Sequence, residues 1–266
     1  MRALVLSGAV AIMMITTPAI GQAGGPAAAL IATSETAGPA TGDAVQPEAV
    51  AALKRMSEYL SGLKSFELTS NSTIDVVTVN GQRVQMGAQV RYKVMRPGIM
   101  VNFDGDLRDR QFFYDGKTFT IFAPKLNFYA TAPAPPTNQE FLKAIYQQFG
   151  ISLPLDDLFR WNDGDHSDLD ALTSGFSLGT AKIDGVVTDH WAFRQGVFDW
   201  EVWIEQGDRP LPRKLVIVDR TDPALPAYSA LLSWTLNPAL SAADFTFVPD
   251  KSAMRIPLAT LTEAAK

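Results

Sequence analysis

The sequence predicts an α+β domain in which one large antiparallel sheet holds most of the chain. Apolar and polar residues alternate with a period of two through most of residues 65–248, as in half-buried antiparallel strands. Turn signals such as Asp115-Gly116 and Asp184-Gly185 separate these stretches. Helical spacing occurs only ahead of the strands and in the middle of the chain. A sheet of about 11–12 strands must curl strongly or close, and the helices would cover its concave face.

The first residues, 1–23, have the pattern of a secretory signal peptide. Arg2 gives a short positive region, an apolar run follows over 3–15, and small residues come next. We expect cleavage after Gly21 or Ala23 and export of the mature chain. The apolar run is too short for a membrane-spanning helix, which needs about 20 residues. A buried N-terminal helix is the alternative.

A linker and a helix precede the strands. Residues 24–46 are rich in alanine, glycine, threonine and proline, which predicts a flexible linker. From Pro47 apolar residues recur at helical spacing, and Gly62 marks the end of that helix.

Helical spacing returns in the middle of the chain. An apolar stripe over 141–149 predicts a helix with Asn138 as its N-cap and Gly150 as its stop. A further short helix is predicted over 155–161, followed by a polar, acidic loop over 162–170.

Two meanders of strands flank these mid-chain helices. The second strand is the clearest, because every even position from Val84 to Val94 is apolar or small, and the odd positions are polar except for Gly87. The predicted strands begin at Ser65 and continue over 83–94, 99–103, 110–114, 118–122, 127–131, 176–183, 186–195, 198–206, 214–220, 228–236 and 245–248. Residues 251–266 are assigned to a C-terminal tail.

The composition excludes several kinds of chemistry. The chain has no cysteine, so thiolate catalysis, iron–sulfur clusters and thiolate zinc sites are excluded. The net charge of −5 gives no electrostatic footprint for nucleic acid.

His190 lies in mid-strand, where its neighbour Asp189 faces the other side of the sheet, which argues against a catalytic dyad. His166 lies in the acidic loop, which lacks the EF-hand pattern; weak calcium binding is the alternative to a solvated loop. We therefore expect no enzymatic activity, no metal and no cofactor.

Several motifs resemble those of a known superfamily. Arg96-Pro97, the run Tyr-Asp-Gly-Lys-Thr-Phe at 114–119 and Ala123-Pro124 resemble the core of the bacterial periplasmic lipoprotein carriers of the LolA/LolB type. A longer string resembles an uncharacterised branch of that superfamily, whose members are known only as predicted periplasmic proteins. It comprises Gly185-Val186, Asp189-His190, Phe193-Arg194-Gln195, Asp199-Trp200, Val202-Trp203-Ile204, residues 208–213 and residues 245–249. The resemblance covers residues 47–250.

This resemblance implies an incomplete, strongly curved antiparallel barrel whose mouth is covered by helices. In the carriers, the apolar cavity between sheet and helices holds lipoprotein acyl chains. An arginine that precedes a proline is hydrogen-bonded to their helical lid and controls its opening, and Arg96 occupies that position. Four residues later the carriers have an aromatic residue, where this chain has Met100.

The residues themselves also indicate a hydrophobic pocket. The even positions of the second strand form an apolar wall that leads to Arg96, where a charge would pair with a lid carbonyl or an anionic head group. For Arg96 a surface charge or an ordinary ion pair is the alternative, and for the aromatic and methionine side chains it is plain core packing. The predicted wall or rim residues are Met86, Val90, Tyr92, Val94, Arg96, Met100, Phe119, Ile121, Trp200 and Trp234.

Two functions are compatible with these features. The first is a periplasmic binding or carrier protein for a hydrophobic ligand, such as a lipid or the acyl chains of a lipoprotein. The second is a non-enzymatic envelope sensor or scaffold that binds a partner such as an envelope membrane protein, with residues 24–46 as a tether. For both we expect a soluble monomer in the periplasm without a nucleic-acid partner.

Overall fold

A computed structural model of the chain describes residues 44–153, 155 and 169–260. The predicted signal peptide, most of the predicted linker, nearly all of the helix predicted over 155–161 and most of the acidic loop with His166 lie outside these residues. No helix within the described part is long and apolar enough to span a membrane.

In the described part of the chain twelve strands form one sheet, and eleven of them coincide with predicted strands to within a few residues. The strands are β1 (Ser65–Val77), β2 (Arg83–Met95), β3 (Gly98–Gly105), β4 (Asp109–Tyr114), β5 (Thr118–Ala123), β6 (Phe128–Pro133), β7 (Leu172–Ile183), β8 (Val186–Gln195), β9 (Phe198–Glu205), β10 (Pro212–Asp219), β11 (Ala227–Leu236) and β12 (Met254–Arg255).

The sheet is curved and open. Its order is β12-β6-β5-β4-β3-β2-β1-β11-β10-β9-β8-β7, and every pair is antiparallel except β12 with β6. The two meanders join where β1 pairs with β11, from Phe66 opposite Leu236 to Ile74 opposite Tyr228. Within the described residues β7 and β12 are edge strands, so the predicted curved α+β sheet is confirmed as an open one.

Helix α1 (Pro47–Gly62) precedes the sheet, as predicted. Proline at its first position needs no hydrogen bond from its own nitrogen, and Glu48 in the first turn complements the helix dipole. Its buried stripe includes Leu53, Met56 and Leu60. Residues before the helix are tied to an edge strand, because the Gln46 nitrogen donates to the Gly175 carbonyl at 2.8 Å.

Helix α2 (Asn138–Phe149) follows β6, and its N-cap is Thr137 rather than the predicted Asn138. The Thr137 side chain accepts a hydrogen bond from the Glu140 nitrogen. Several polar residues follow one another at this point, so the sequence did not decide which of them is the N-cap. Gly150 ends the helix at a φ of 65°, a left-handed conformation that glycine adopts without a Cβ penalty.

The two sides of the sheet differ in character. One side, called here the apolar face, contains Leu68, Tyr92 and Val101, which pair with one another across β1, β2 and β3. The opposite side, the polar face, contains residues such as Arg91. The buried apolar residues of α1, α2 and the apolar face of both meanders form a single hydrophobic cluster.

The prediction of a strand over 245–248 is wrong. A 3-10 helix (Ala242–Phe245) ends at Phe245, and residues 246–248 lie in neither a helix nor a strand. The Asp244 carboxylate caps this helix, because it accepts hydrogen bonds from the Ser241 nitrogen and hydroxyl. Phe245 and Phe247 imitate the alternation of a strand because both rings pack on the polar face. The Phe245 ring packs directly on Gly98, where an added Cβ would lie 2.6 Å from it. The last strand, β12, lies instead within the predicted C-terminal tail.

Candidate functional site

The apolar wall predicted along β2 lies in the centre of the sheet. Val90, Tyr92 and Val94 are fully buried on the apolar face. Tyr92 lies opposite Leu68 of β1 and Val101 of β3, so the wall continues across the neighbouring strands. Period-two alternation in β2 therefore produces a continuous apolar surface rather than an isolated stripe.

Helix α2 contacts this wall through an aromatic group. The ring of Phe141 stacks on Tyr114 with centroids 3.9 Å apart and planes at 4°, and it lies 5.1 Å from the ring of Phe119. The Tyr114 hydroxyl donates to the Pro135 carbonyl at 2.6 Å, just before the helix. Burial raises the pKa of Tyr114 to about 12, so this hydroxyl remains a donor at neutral pH.

The second meander continues the wall with two of the predicted tryptophans. Trp200 is buried and stacks on Phe193 at 4.3 Å. Trp234 is half-buried, lies 5.3 Å from the ring of Phe66, and donates its indole N–H to the Pro212 carbonyl at 2.8 Å. These residues come from strands on both sides of the β1–β11 junction, so both meanders contribute to one apolar face.

Arg96 lies just past the end of β2, where the sheet meets both helices. Its Nε donates to the Leu63 carbonyl at 3.0 Å and its Nη2 donates to the Leu60 carbonyl at 3.4 Å. Both acceptors lie at the C-terminal end of α1, where the Leu60 carbonyl also accepts a hydrogen bond from the Leu63 nitrogen at 3.3 Å. The side chain is exposed to solvent.

A small apolar cavity lies beside Arg96. Its volume is about 10 Å³, which is room for about one water molecule. It lies between the strand ends and α2, and it is lined by Tyr92, Val94, Arg96, Ile99, Asn138, Leu142 and Leu153. Side chains therefore fill this part of the space between sheet and helices.

The remaining predicted residues fall in three places. Met86 lies on the apolar face opposite Ile74 and is half-buried. Ile121 is also half-buried on this face, opposite Ala130. Met100 pairs with Lys93 and therefore lies on the polar face, away from the other predicted wall residues.

Two of the motifs quoted from the sequence meet in space. A Cβ added to Gly116 would lie 2.8 Å from Cγ of Pro97, so the Asp115-Gly116 turn packs on the Arg96-Pro97 corner. The Asp115 carboxylate accepts hydrogen bonds from the nitrogens of Lys117 and Thr118, which fixes the turn. Gly116 has a φ of 87°, which also favours glycine.

The histidine in β8 lies on the polar face. His190 stacks on Trp203 at 3.8 Å, and its Nε2 lies 2.7 Å from a carboxylate oxygen of Glu201. Asp189 pairs with Ile204 and so faces the other side of the sheet, as the alternation indicates. Among the described residues, no three histidine, aspartate or glutamate side chains gather as a metal site would require.

Comparison with models of known protein families assigns the chain to one of them. The model of the family described as "Predicted periplasmic protein (DUF2092)" matches residues 49–259. The chain belongs to this family. The resemblance to an uncharacterised branch of predicted periplasmic proteins is thereby confirmed, and the family match extends past residue 250 to include β12.

Comparison with curated proteins and solved structures gives distant likenesses. No curated protein matches this DUF2092 member. An uncharacterised conserved protein from Thermus thermophilus is 14% identical, with 79% of this chain and 99% of that chain covered at a TM-score of 0.45. The lipoprotein LppX from Mycobacterium tuberculosis is 16% identical, with coverages of 73% and 98% and a TM-score of 0.44. A LolA superfamily protein from Nitrosomonas europaea is 13% identical, with coverages of 75% and 97% and a TM-score of 0.36.

Sequence reasoning missed two details of how the helices of this DUF2092 protein join the sheet. Phe141 was visible as part of an apolar helical stripe, and Tyr114 as part of a motif, but no local pattern pairs them. The acceptors of Arg96 are backbone carbonyls, which leave no trace in residue type. Such contacts are fixed by tertiary structure alone.

Proposed function

We propose that this protein is exported by residues 1–23, cleaved after Gly21 or Ala23, and binds a hydrophobic ligand as a soluble periplasmic monomer. The ligand is a lipid or the acyl chains of a lipoprotein. It would lie between the apolar face and the helices α1 and α2, called here the lid helices, which we place over the concave side of the sheet. The description of the family as predicted periplasmic proteins supports the location.

The observation that carries this proposal is the extent of the apolar face. Its buried residues run from β5 through β2 and β1 to β9, and they form one cluster with the lid helices. Each methylene of an acyl chain moved from water to such a surface gains about 0.8 kcal/mol. An acyl chain and the apolar stripes of the lid helices are thus chemically interchangeable partners for this face.

We expect the lid helices to move on binding, because among the described residues the cavity beside β2 has room for only about one water molecule. The two ends of α1 are held differently. At its start, Gln46 is hydrogen-bonded to the edge strand β7 through the backbone, and Val45 forms a bridge with Gly175. At its end, the exposed Arg96 binds two neutral carbonyls, which contributes about 1 kcal/mol. The C-terminal end of α1 is therefore the end we expect to open.

The test uses the five tryptophans as reporters. Delipidated protein is titrated with a brominated fatty acid, because bromine quenches only nearby indoles. Binding on the apolar face should quench Trp200, so W200F should lose part of the quenching. Trp203 lies on the opposite face, so W203F is the matched control and should retain it.

Lipid extraction tests the same proposal on protein purified from periplasm. Mass spectrometry should find a bound lipid or acylated peptide in stoichiometric amount. Absence of bound lipid together with absence of quenching would overturn the proposal. Recovery of one specific membrane protein by the lipid-free protein would then favour the scaffold function.

A further inference from the structure

Three hydroxyl groups lie together among apolar residues of the apolar face. They belong to Ser70 and Ser72 of β1 and to Tyr228 of the neighbouring strand β11. The register places Ser72 opposite Ala230 and Tyr228 opposite Ile74, which brings Tyr228 diagonally beside Ser72. The group lies at the junction of the two meanders, in the middle of the twelve-stranded sheet.

Two of these hydroxyls are buried, and Tyr228 is near enough to Ser70 and Ser72 for weak hydrogen bonds alone. Ser72 donates to the Ala88 carbonyl at 3.2 Å. Within the described part of the chain, neither the Ser70 Oγ nor the Tyr228 hydroxyl completes a hydrogen bond of normal geometry, and the residues are only 0% and 7% exposed. A buried unsatisfied hydroxyl costs about 1–3 kcal/mol, so a partner is expected in the functional state.

The surroundings of these hydroxyls are hydrophobic. Ser70 pairs with Val90 on one side and Leu232 on the other, and Tyr228 pairs with Ile217. Burial raises the pKa of Tyr228, while weak hydrogen bonds with Ser72 and Ser70 lower it in part. The Tyr228 hydroxyl is therefore neutral and able to donate.

The contrast with Tyr114 indicates a role other than structural. Tyr114 lies on the same face and is equally buried, but its hydroxyl is satisfied by the Pro135 carbonyl at 2.6 Å. A hydroxyl that serves the fold is normally paired in this way. Ser70 and Tyr228 instead leave two donors without a hydrogen bond of normal geometry, on the face where the proposed function places an acyl ligand.

We propose that the hydroxyls of Ser70 and Tyr228 bind the carbonyl oxygen of an acyl ester, whose chain lies along the apolar face. This inference rests on the proposed function and specifies its ligand. A carbonyl oxygen accepts two hydrogen bonds, which matches the two donors. Neutral hydroxyls supply no positive charge to compensate a buried carboxylate, so the site favours an ester over an ionised fatty acid.

The test compares probes that differ only in the polar group. Delipidated protein is titrated with a brominated stearoyl methyl ester and with a brominated octadecane of the same chain length, and tryptophan quenching reports both. Y228F and S70A should each weaken binding of the ester by about tenfold and leave binding of the alkane unchanged. The brominated free acid should bind the wild type more weakly than the ester does.

Stability measurements separate this role from a structural one. Y228F should keep or raise the melting temperature, because it removes an unsatisfied hydroxyl. The matched control Y114F should lower the melting temperature, because it leaves the Pro135 carbonyl without its donor. A Y228F variant destabilised like Y114F would assign the hydroxyl to a structural hydrogen bond and overturn the inference.

The outcomes also separate the inference from the proposed function. If the wild type binds neither probe, the proposed function fails and the ester site fails with it. If the wild type binds both probes and Y228F and S70A alter neither, or alter both equally, only the ester site fails. Tighter binding of the free acid than of the ester would overturn the assignment to an ester.

Discussion

Arg96 donates from Nε to the carbonyl oxygen of Leu63 over 3.0 Å, so a cation from the sheet meets the C-terminal end of helix α1. A second donation reaches the Leu60 carbonyl. The last turn of α1 has no basic residue of its own, and Arg96 therefore supplies the positive charge that stabilises the negative end of a helix. Because the side chain is exposed, water competes for both carbonyls.

Replacing Arg96 with leucine should loosen the end of α1 without unfolding the sheet. We expect the free energy of unfolding to fall by about 1 kcal/mol, since two hydrogen bonds to neutral carbonyls are exchanged for bonds to water. Hydrogen exchange of the last turn of α1 should accelerate, and release of a bound acyl probe should be faster.

The matched control for R96L is R209L. Arg209 is also exposed, but its contact to Glu205 at 3.5 Å is a weak surface pair, which contributes little. R209L should leave both exchange and probe release unchanged. Unaltered protection of the last turn in R96L would contradict the holding role of Arg96.

The corner between Pro97 and Gly116 predicts a specific steric penalty. Alanine at Gly116 meets two costs: a positive φ of 87° and a Cβ placed 2.8 Å from Pro97. Alanine at Gly81 meets only the first, because its φ is 79° and no atom lies within 4 Å of the added Cβ. In urea unfolding, G116A should cost about 1 kcal/mol more than G81A. Equal costs would mean that the corner adjusts without strain.

The alternation of residues predicted nearly all the strands because a half-buried sheet imposes a period of two. It failed for Phe245 and Phe247, whose rings pack on the polar face from a 3-10 turn and the segment after it, and so imitate that period. The pairing of β1 with β11 joins residues far apart in sequence, and no local signal encodes it.

The position of Met100 illustrates how register limits site prediction. In the β2–β3 hairpin Val94 pairs with Ile99, so even positions of β2 share a face with odd positions of β3. An even-numbered residue of β3 therefore faces the other way, although the motif places it close to Arg96. The burial of Ser70 and Tyr228 was equally hidden, since it depends on elements from distant parts of the chain.

The ion pair between Lys93 and Asp244 predicts an acid-sensitive attachment of the C-terminal segment to the polar face. The Lys93 ammonium lies 2.8 Å from the Asp244 carboxylate. The hydrogen bond from Lys93 and those from Ser241 lower the pKa of Asp244 to about 2. The pKa of an unfolded aspartate is about 3.9, so this stabilisation is complete above that pH and is lost as the pH falls to about 2.

Substitution of Asp244 by asparagine tests this pH dependence. Between about pH 4 and pH 2, the melting temperature of the wild type should fall more steeply than that of D244N, because only the wild type loses this ion pair. D184N removes one negative charge from an exposed hairpin turn and is the matched control. Parallel melting curves for the wild type and D244N would exclude a contribution of Lys93–Asp244.

Truncation of Phe141 should detach α2 more than it disturbs the sheet. The ring is fully buried and lies against Tyr114 at 3.9 Å and Phe119 at 5.1 Å. Loss of such a ring lowers the free energy of unfolding by about 3–5 kcal/mol when the helix stays docked. Separation of α2 alone from the sheet should therefore cost less free energy than keeping the helix docked over a cavity. F141A should therefore show fast hydrogen exchange in α2 and increased binding of a hydrophobic dye, with slow exchange kept in β1 and β2. Y146A, on the exposed side of the same helix, should change neither. Uniformly faster exchange in sheet and helix would instead mean that α2 cannot separate from the core, which would remove it as a lid.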